Sequence, residues 1–185
     1  MPSIMRKLFK ILNKFFMVPV FRLGLGGVFG NPITGYIMVL KVIGRKSGRL
    51  RYAPVNYAIH QGAVWCISGG RKTSDWYKNL IANPKIELIL PGGAFFGEVR
   101  EENDPEIRRL VIRKVLQNAG FAGFFEGYNP WKISDEELKS KTADIPLIRI
   151  TPLGLGNGAG DPQGWSWISL LILTVLIVLA AIWLI

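Results

Sequence analysis

The sequence predicts a mainly β (α+β) fold, a small antiparallel barrel of about six strands with flanking helices. The runs 36–43, 52–59, 63–68, 85–90, 94–101 and 145–150 are rich in Val, Ile, Tyr, Phe and Trp, as strands are. Gln61-Gly62 and Gly92-Gly93 lie between neighbouring runs and predict two hairpin turns. Many short strands joined by tight turns and interrupted by few helices are typical of a barrel.

Three helices are predicted between the strands, each from the residues that can cap or stop it. Short polar side chains satisfy the free N–H groups of a first helical turn, whereas Pro and Gly end helices. The first helix is predicted to begin at Thr73 or Ser74 and to be stopped by Pro84. The second begins at Asp104-Pro105 and is followed by Gly120, and Ser134 with Glu137 forms a capping-box pattern at the start of the third.

Residues 1–22 are predicted to form a separate amphipathic helix in front of the barrel. Over 4–18, Ile, Leu and Phe side chains fall on one face and basic side chains on the other. Pro19 is expected to end this helix. A basic helix of this kind lies in a membrane interface or covers one end of a barrel, and the sequence leaves both interpretations open.

The last residues, 165–185, carry no charge and are predicted to be a transmembrane helix. They would form about 31 Å of helix, close to the hydrocarbon thickness of roughly 30 Å. The glycine-rich stretch 153–164 is predicted to be a flexible linker, which leaves 23–152 as the barrel domain. Since every Lys and Arg precedes the apolar segment, we expect a single-pass C-terminal anchor in the cell membrane with the barrel in the cytoplasm. A lipid-anchor signal that is later removed is the alternative.

Charge and composition narrow the classes of partner. The net charge of +10 favours a polyanion such as nucleic acid, a phosphorylated cofactor or an anionic membrane. Nucleic acid is not expected, because the barrel part has no recognisable basic recognition helix. His60 is the sole histidine, so neither a histidine-ligated metal site nor a Ser–His pair is expected. Cys66 lies in a predicted strand and is expected to be a buried structural thiol.

The most informative motif is a basic turn, Gly-Arg-Lys-Ser-Gly-Arg-Leu-Arg over residues 44–51. It places four cations within seven residues and frames the first two with glycines. Glycines let backbone N–H groups approach a ligand, and guanidinium groups bind phosphate oxygens in pairs. The motif therefore predicts an anion-binding turn, with a solvated basic loop as the alternative.

A second motif follows the third predicted strand, Ser-Gly-Gly-Arg-Lys-Thr-Ser-Asp-Trp-Tyr-Lys-Asn-Leu over residues 68–80. A strand ends in glycines here and a helix begins soon afterwards, which offers free N–H groups and the positive end of a helix dipole. Trp76 and Tyr77 either flank a bound ring or pack the helix on the barrel.

Together the two motifs resemble the deazaflavin-dependent nitroreductase family. The matching pattern is Gly-Arg-Lys-Ser-Gly-x-x-Arg-x-x-Pro-Val, then Gly-Gly, then Asp-Trp-Tyr-x-Asn-Leu-x-x-Asn-Pro, and the likeness covers about residues 20–150. The resemblance implies a split β-barrel that uses coenzyme F420, an 8-hydroxy-5-deazaflavin.

The resemblance also implies roles for individual residues. The segment that holds the phosphate and polyglutamate tail of the cofactor corresponds to Arg45, Lys46, Ser47 and Arg51. The residues implied to line the deazaflavin ring are the backbone near Tyr52, Ala53 and Pro54, together with Ser68, Gly69 and Gly70. The helix that closes the site contributes Asp75, Trp76 and Asn79. Some relatives carry a lysine just before the paired glycines, where this chain has Ser68, so FMN is kept as the alternative cofactor.

We therefore expect a membrane-anchored reductase that transfers hydride from reduced F420 to an electron-poor, lipid-soluble acceptor. A quinone is the expected natural acceptor, with nitro compounds reduced incidentally. Tyr128 and Tyr77 are candidate proton donors or substrate contacts, and Ser68 is a candidate hydrogen-bond partner. A non-catalytic barrel that binds a flavin or a haem-like ligand at the membrane is the alternative. Barrels of this type often pair, so a homodimer is also considered.

Overall fold

The computed structural model describes residues 11–126, 129–158 and 166–184. Its centre is a closed barrel with the strand order β1-β2-β3-β6-β5-β4, in which all neighbouring strands are antiparallel and β1 pairs with β4 to close the ring. The predicted barrel is confirmed. The strands are β1 (Ile37–Ile43), β2 (Leu50–His60), β3 (Ala63–Ile67), β4 (Lys85–Leu90), β5 (Gly93–Glu102) and β6 (Leu147–Leu155).

The interior of the barrel is filled by apolar side chains that alternate along every strand. Because successive side chains of a strand point to opposite faces, residues two apart enter the same core. On β1, for example, Met38, Leu40 and Val42 are all fully buried. Cys66 of β3 lies in the same cluster, so its predicted burial is confirmed. Removal from water raises the pKa of this thiol, because the thiolate is poorly solvated there.

Between residues 13 and 158, the described part of the chain contains the α-helices α1 (Val18–Arg22), α2 (Asp75–Ala82), α3 (Pro105–Gln117) and α4 (Asp135–Thr142). The predicted caps of α3 and α4 are confirmed: Asp104 Oδ1 accepts from two backbone N–H groups, and Ser134 Oγ accepts from Glu137 N–H. α3 packs on the outside of the barrel, where Val111 and Val115 cover Trp65. Short 3₁₀ turns at Leu25–Phe29, Arg71–Thr73 and Gly120–Glu126 were not predicted.

The first hairpin turn is at Gln61-Gly62 as predicted, with both residues at positive φ. The second is one residue earlier than predicted. Leu90 pairs with Gly93, so Pro91-Gly92 makes the turn and Gly93 is already the first residue of β5. Proline at the first turn position has its φ preset and needs no N–H partner, which fixes this register.

The N-terminal helix continues past Pro19, contrary to the prediction. Residues 13–17 form a π-helical turn in which Val18 N–H bonds to the carbonyl of Asn13, and α1 follows directly. Pro19 then sits in the first turn of α1, where a missing N–H costs nothing. Met17 and Phe21 are buried against the barrel, whereas Phe15 is exposed. Residues 1–10 lie outside the described part of the chain.

The predicted linker, 153–164, is shorter than expected, because β6 extends to Leu155. Beyond it, Gly156 N–H donates to the carbonyl of Ala94 at 2.8 Å and Asn157 N–H to Glu87 Oε1 at 2.7 Å. Backbone that is hydrogen-bonded in this way belongs to the barrel. Residues 159–164 lie outside the described part.

The expected transmembrane helix over 165–185 is not supported. The last helix, α5 (Ser166–Leu184), has 19 residues, which at 1.5 Å per residue gives about 28 Å. Within the described ranges, we find no helix of the length and apolarity that crossing a membrane requires.

Candidate cofactor site

The basic motif forms a tight turn between β1 and β2. Gly44 N–H donates to the carbonyl of Arg49 at 2.9 Å, and Gly48 N–H donates back to the carbonyl of Gly44 at 2.8 Å. Gly48 adopts a φ of +62°, the left-handed region that disfavours a side chain. A side chain at Gly44 would lie 2.8 Å from Ser47 Oγ, so the turn closes on a glycine there as well. The backbone conformation therefore favours glycine at Gly48, and the close packing leaves little room for a side chain at Gly44.

Arg45 fastens this turn to the start of α2. Its backbone N–H and its Nη1 both donate to Asn79 Oδ1, at 3.1 and 2.9 Å, and its Nη2 donates to Asp75 Oδ1 at 3.0 Å. The hydrogen bond from Arg45, and then its charge, lower the pKa of the Asp75 carboxyl below its usual value. Three predicted site residues are thus brought together, but they bind one another.

The remaining cations of the motif face solvent. Lys46, Arg49 and Arg51 are exposed, and among the described residues no carboxylate lies within ion-pair distance of them. The predicted Ser47 is exposed beside them. Its Oγ lies 3.4 Å from Arg49 N. Cations that no protein carboxylate neutralises are what an anionic ligand requires.

A cleft of about 320 Å³ opens on the outside of the barrel between β2, α3 and the Ser68–Ser74 turn. Its lining is nearly half polar, and Asn56 and Arg71 are among its polar residues. Three of the predicted ring-lining positions are on this wall, namely Pro54, Gly69 and Gly70, and so is Trp76 of the predicted closing helix. A cleft that combines apolar surface with polar groups suits a planar heteroaromatic ring.

Two other predicted ring contacts do not line the cleft with their side chains. Ala53 points into the barrel core, since β2 alternates faces there. Tyr52 packs on the N-terminal side, where the Arg22 guanidinium lies 5.1 Å from its ring centroid. Of Tyr52, Ala53 and Pro54, Pro54 alone lines the cleft.

Ser68, predicted as both a ring contact and a catalytic hydrogen-bond partner, is fully buried. Its Oγ donates to the carbonyl of Arg71 at 2.8 Å and lies 2.8 Å from Ser74 Oγ. A hydroxyl has one proton, and this proton is used inside the turn. Ser68 therefore holds the turn in shape, and Ser74 does the same in place of the side-chain cap predicted for it.

Tyr77 is directed away from the cleft, into the barrel end, and its hydroxyl donates to Glu101 Oε2. Burial, with the Glu101 hydrogen bond added to it, raises the pKa of Tyr77 to about 12. Glu101 also pairs with Lys72 at 2.8 Å. Its pKa is pushed up by partial burial, but the hydrogen bonds from Lys72 and Tyr77 outweigh that and lower it. Tyr128, the other predicted tyrosine, lies outside the described residues.

α3 and the 3₁₀ turn that follows it supply a wall of the cleft that the sequence motifs do not indicate. Val115, Leu116, Ala119 and Gly123 line the cleft opposite Pro54. Nothing local distinguishes these residues from an ordinary apolar helix face, since their role depends on how α3 packs across β2 and β3. Within the described ranges, no group of three or more His, Cys, Asp or Glu side chains could hold a metal ion.

A cleft and a turn with exposed cations, both attached to α2, match a cofactor that has a planar ring and an anionic tail. The sequence profile of the F420H(2)-dependent quinone reductase family matches residues 19–128. The chain belongs to this family, and it is an F420-dependent oxidoreductase. The catalytic interpretation therefore replaces that of a barrel that only stores a ligand.

Three solved structures are similar to this chain. An F420-H2 dependent reductase is 24% identical over 62% of this chain and 92% of its own, with a TM-score of 0.40. A NimC/NimA family protein from Clostridium acetobutylicum is 17% identical over 64% of this chain and 75% of its own, with a TM-score of 0.41. A conserved hypothetical protein from Mycobacterium tuberculosis is 18% identical over 69% of this chain and 78% of its own, with a TM-score of 0.47. The family assignment rests on the sequence profile.

The residues present fit coenzyme F420. Lys46, Arg49 and Arg51 match the charge of a phosphate with a chain of glutamates, and Trp76 with Pro54 provides apolar surface for a tricyclic ring. The two parts of the site are joined, because α2 carries both Trp76 and the Asp75 and Asn79 side chains that hold the basic turn.

Proposed function

We propose that this protein reduces a quinone-type, lipid-soluble acceptor with hydride from reduced F420, at the surface of a membrane. The observation that carries the proposal is that α2 both lines the cleft and holds the cationic turn. Arg45 of the turn binds Asp75 and Asn79 of α2. Trp76, which lies between these two residues in sequence, lines the cleft. Ring and tail of one cofactor can therefore be held at once.

The side chains have separate tasks in this proposal. Lys46, Arg49 and Arg51 bind the anionic tail, and their exposure lets the tail remain in solvent. Trp76, Pro54 and the glycine backbone of the Ser68–Ser74 turn orient the ring and exclude water from one of its faces. When bound, reduced F420 supplies a hydride from its ring carbon.

A second cavity supports a quinone as the acceptor. It has a volume of about 190 Å³ and lies between the N-terminal helix, the Gly120–Glu126 turn and β2. Its lining includes Leu12, Phe16 and Phe121, and it shares Pro54, Val55 and Asn56 with the larger cleft. An apolar ring that enters this cavity would reach the shared wall, and thus the bound cofactor. Nitro compounds of similar size are incidental substrates in this proposal.

FMN is the weaker candidate for the same cleft. Its tail ends in a single phosphate, which would leave most of the cationic turn unused. F420, with several carboxylates beyond its phosphate, uses the whole set of exposed cations in the turn.

The function is tested by mixing the purified full-length protein with reduced F420 and menadione, a soluble naphthoquinone, and following the oxidation of F420 by absorbance. The double variant K46Q/R49Q should lower kcat/KM about tenfold or more, because two charge-assisted contacts are lost. K85Q/K139Q is the matched control, since it removes the same charge from exposed positions outside the site. Absence of menadione reduction by the wild type, or an equal loss in both double variants, would contradict the proposal.

Membrane association is proposed from exposed apolar side chains at both ends of the described chain. Phe15 and Phe16 are 67% and 46% exposed, and the described side chains of α5, residues 171–183, are all exposed and lack charge. Clusters of this kind bind lipid interfaces, and nearby cations strengthen binding to anionic lipid.

Sedimentation with vesicles of mixed anionic and zwitterionic phospholipid tests the association. Phe15→Asp should reduce the bound fraction of the full-length protein. Ile59→Asp, which changes an equally exposed apolar residue on β2, should leave it unchanged. Equal binding of both variants and the wild type would argue against a role of the N-terminal helix.

A further inference from the structure

Arg71 is held in a backbone conformation that non-glycine residues seldom adopt. Its φ is +56°, in the left-handed region, directly after the paired glycines 69–70. Side chains with a Cβ are disfavoured there, and such positions persist only where the surrounding structure enforces them. A glycine would occupy the same position without strain, so the presence of arginine needs a reason.

Hydrogen bonds around Arg71 enforce this conformation. Its N–H donates to the carbonyl of Ser68 at 2.7 Å, and its own carbonyl accepts from Ser68 Oγ at 2.8 Å and from Ser74 Oγ at 3.2 Å. Ser68 is completely buried. The hydrogen bonds of the buried Ser68 thus fix the backbone of Arg71, and with it the position of the Arg71 Cβ.

Arg71 is one of the residues that line the cleft, together with Gly70 and Trp76. Its Nε pairs with Asp144, and the two side chains are 53% and 60% exposed. An ion pair so open to solvent contributes little to folding. Among the described residues, no other acceptor contacts the guanidinium, so its Nη groups are free to bind a ligand in the cleft.

We propose that Arg71 is a specificity-determining residue of this cleft, whose guanidinium binds an anionic oxygen of the bound ligands. The inference rests on the proposed function. The oxygen belongs either to the cofactor or to the acceptor. Hydride from reduced F420 gives the quinone two electrons and leaves a negative charge on a quinone oxygen, which a proton from water then neutralises. A guanidinium within reach stabilises either anion by charge-assisted hydrogen bonds.

Three full-length variants separate this role from a structural one. R71Q keeps most of the side chain but removes the charge. R71G removes the side chain and relieves the left-handed φ, so it should fold with a Tm within about 3 °C of the wild type. D144N breaks the ion pair and leaves the guanidinium in place, so it is the matched control.

The measurements are the Kd for oxidised F420, by fluorescence titration, and kcat/KM for menadione. R71Q and R71G should each lose about tenfold or more in one of the two quantities, whereas D144N stays within about threefold of the wild type. Loss in Kd identifies an anionic oxygen of the cofactor, and loss in kcat/KM at unchanged Kd identifies the acceptor oxyanion.

The inference is overturned if R71Q and R71G match the wild type in both quantities, or if D144N loses as much as they do. In the latter case Arg71 serves only the ion pair. If the wild type binds no F420, the proposed function fails and this inference fails with it, which is a different result from binding that the Arg71 variants leave unchanged.

Discussion

Arg45 and Asn79 are joined by two hydrogen bonds to one oxygen, from the backbone N–H at 3.1 Å and from Nη1 at 2.9 Å. The contact fixes the basic turn on α2, although the two residues are 34 positions apart in sequence. Asn79 is buried, so its amide oxygen has no water to replace a lost partner. The geometry of the cationic turn therefore depends on a residue that does not itself face a ligand.

Asn79→Ala should loosen the turn and destabilise the fold by about 1 kcal/mol, because two hydrogen bonds from Arg45 are lost while Arg45 keeps its contacts with Asp75. Chemical denaturation measures the loss, and F420 titration should show a weaker Kd as the cations lose their arrangement. Asn83→Ala is the control. The Asn83 amide makes only a long contact of 3.4 Å with the carbonyl of Ile43, so less than about 0.5 kcal/mol should be lost. Equal effects of the two variants would remove the special role of Asn79.

Phe121 is expected to contact the acceptor, because it lines the smaller apolar cavity. Phe121→Ala should raise KM for menadione several-fold and leave the Kd for F420 unchanged, since about 1–3 kcal/mol of apolar contact is removed from one ligand only. Phe124→Ala is the matched control, because Phe124 is exposed to the same degree, 50% against 49%, and does not line the cavity. An unchanged KM in Phe121→Ala would place the acceptor elsewhere.

Tyr77 should act on stability and its pH dependence, with little effect on turnover. Its folded pKa of about 12 is above the ordinary value of 10. A raised folded pKa means that the stabilising contribution is complete below pH 10 and is lost as the pH rises towards 12. In Tyr77→Phe the free energy of unfolding should fall by about 1 kcal/mol at neutral pH, and its decline between pH 10 and 12 should be smaller than in the wild type.

Menadione reduction by Tyr77→Phe should stay within about threefold of the wild type, because the hydroxyl binds Glu101 and does not face the cleft. A tenfold fall in kcat with unchanged stability would restore Tyr77 as a catalytic residue.

Gly120 and Gly62 both have a left-handed backbone conformation, but the first is in crowded surroundings and the second in open space. Gly120 has a φ of +57°, and a side chain there would lie 2.4 Å from the carbonyl oxygen of Ile33. Gly62 has a φ of +70° and nothing within 4 Å. Gly62→Ala should cost about 1–2 kcal/mol, the price of the conformation alone. Gly120→Ala should cost more than about 3 kcal/mol, because backbone must also move. Similar values for the two variants by chemical denaturation would contradict the close approach of Gly120 and Ile33.

The strands, hairpins and caps could be predicted because they depend on local sequence. The Val- and Ile-rich composition of β1 marks it as a strand, and Asp104 with Pro105 begins α3 whatever surrounds it. The N-terminal helix was mispredicted at Pro19, since a π-helical turn in front of it removes the hydrogen bond that proline would have broken.

The site could be predicted only in part. Sequence patterns located the cationic turn and the glycines 69–70, because those positions have restricted chemistry. They could not show that Ser68 points into its own turn, that Tyr77 faces Glu101, or that α3 supplies a cleft wall. These facts depend on tertiary packing between segments far apart in sequence.

The central claim is that the exposed cations of the 44–51 turn hold the acidic tail of F420 while its ring occupies the cleft. The direct test is titration of the full-length protein with oxidised F420, followed by ring fluorescence, at two salt concentrations. The wild type should bind F420 more tightly than FMN, and K46Q/R49Q should weaken F420 binding about tenfold with a smaller salt dependence than the wild type and K85Q/K139Q. Equal affinity of K46Q/R49Q and the wild type for F420, or no binding of F420 at all, would contradict the account.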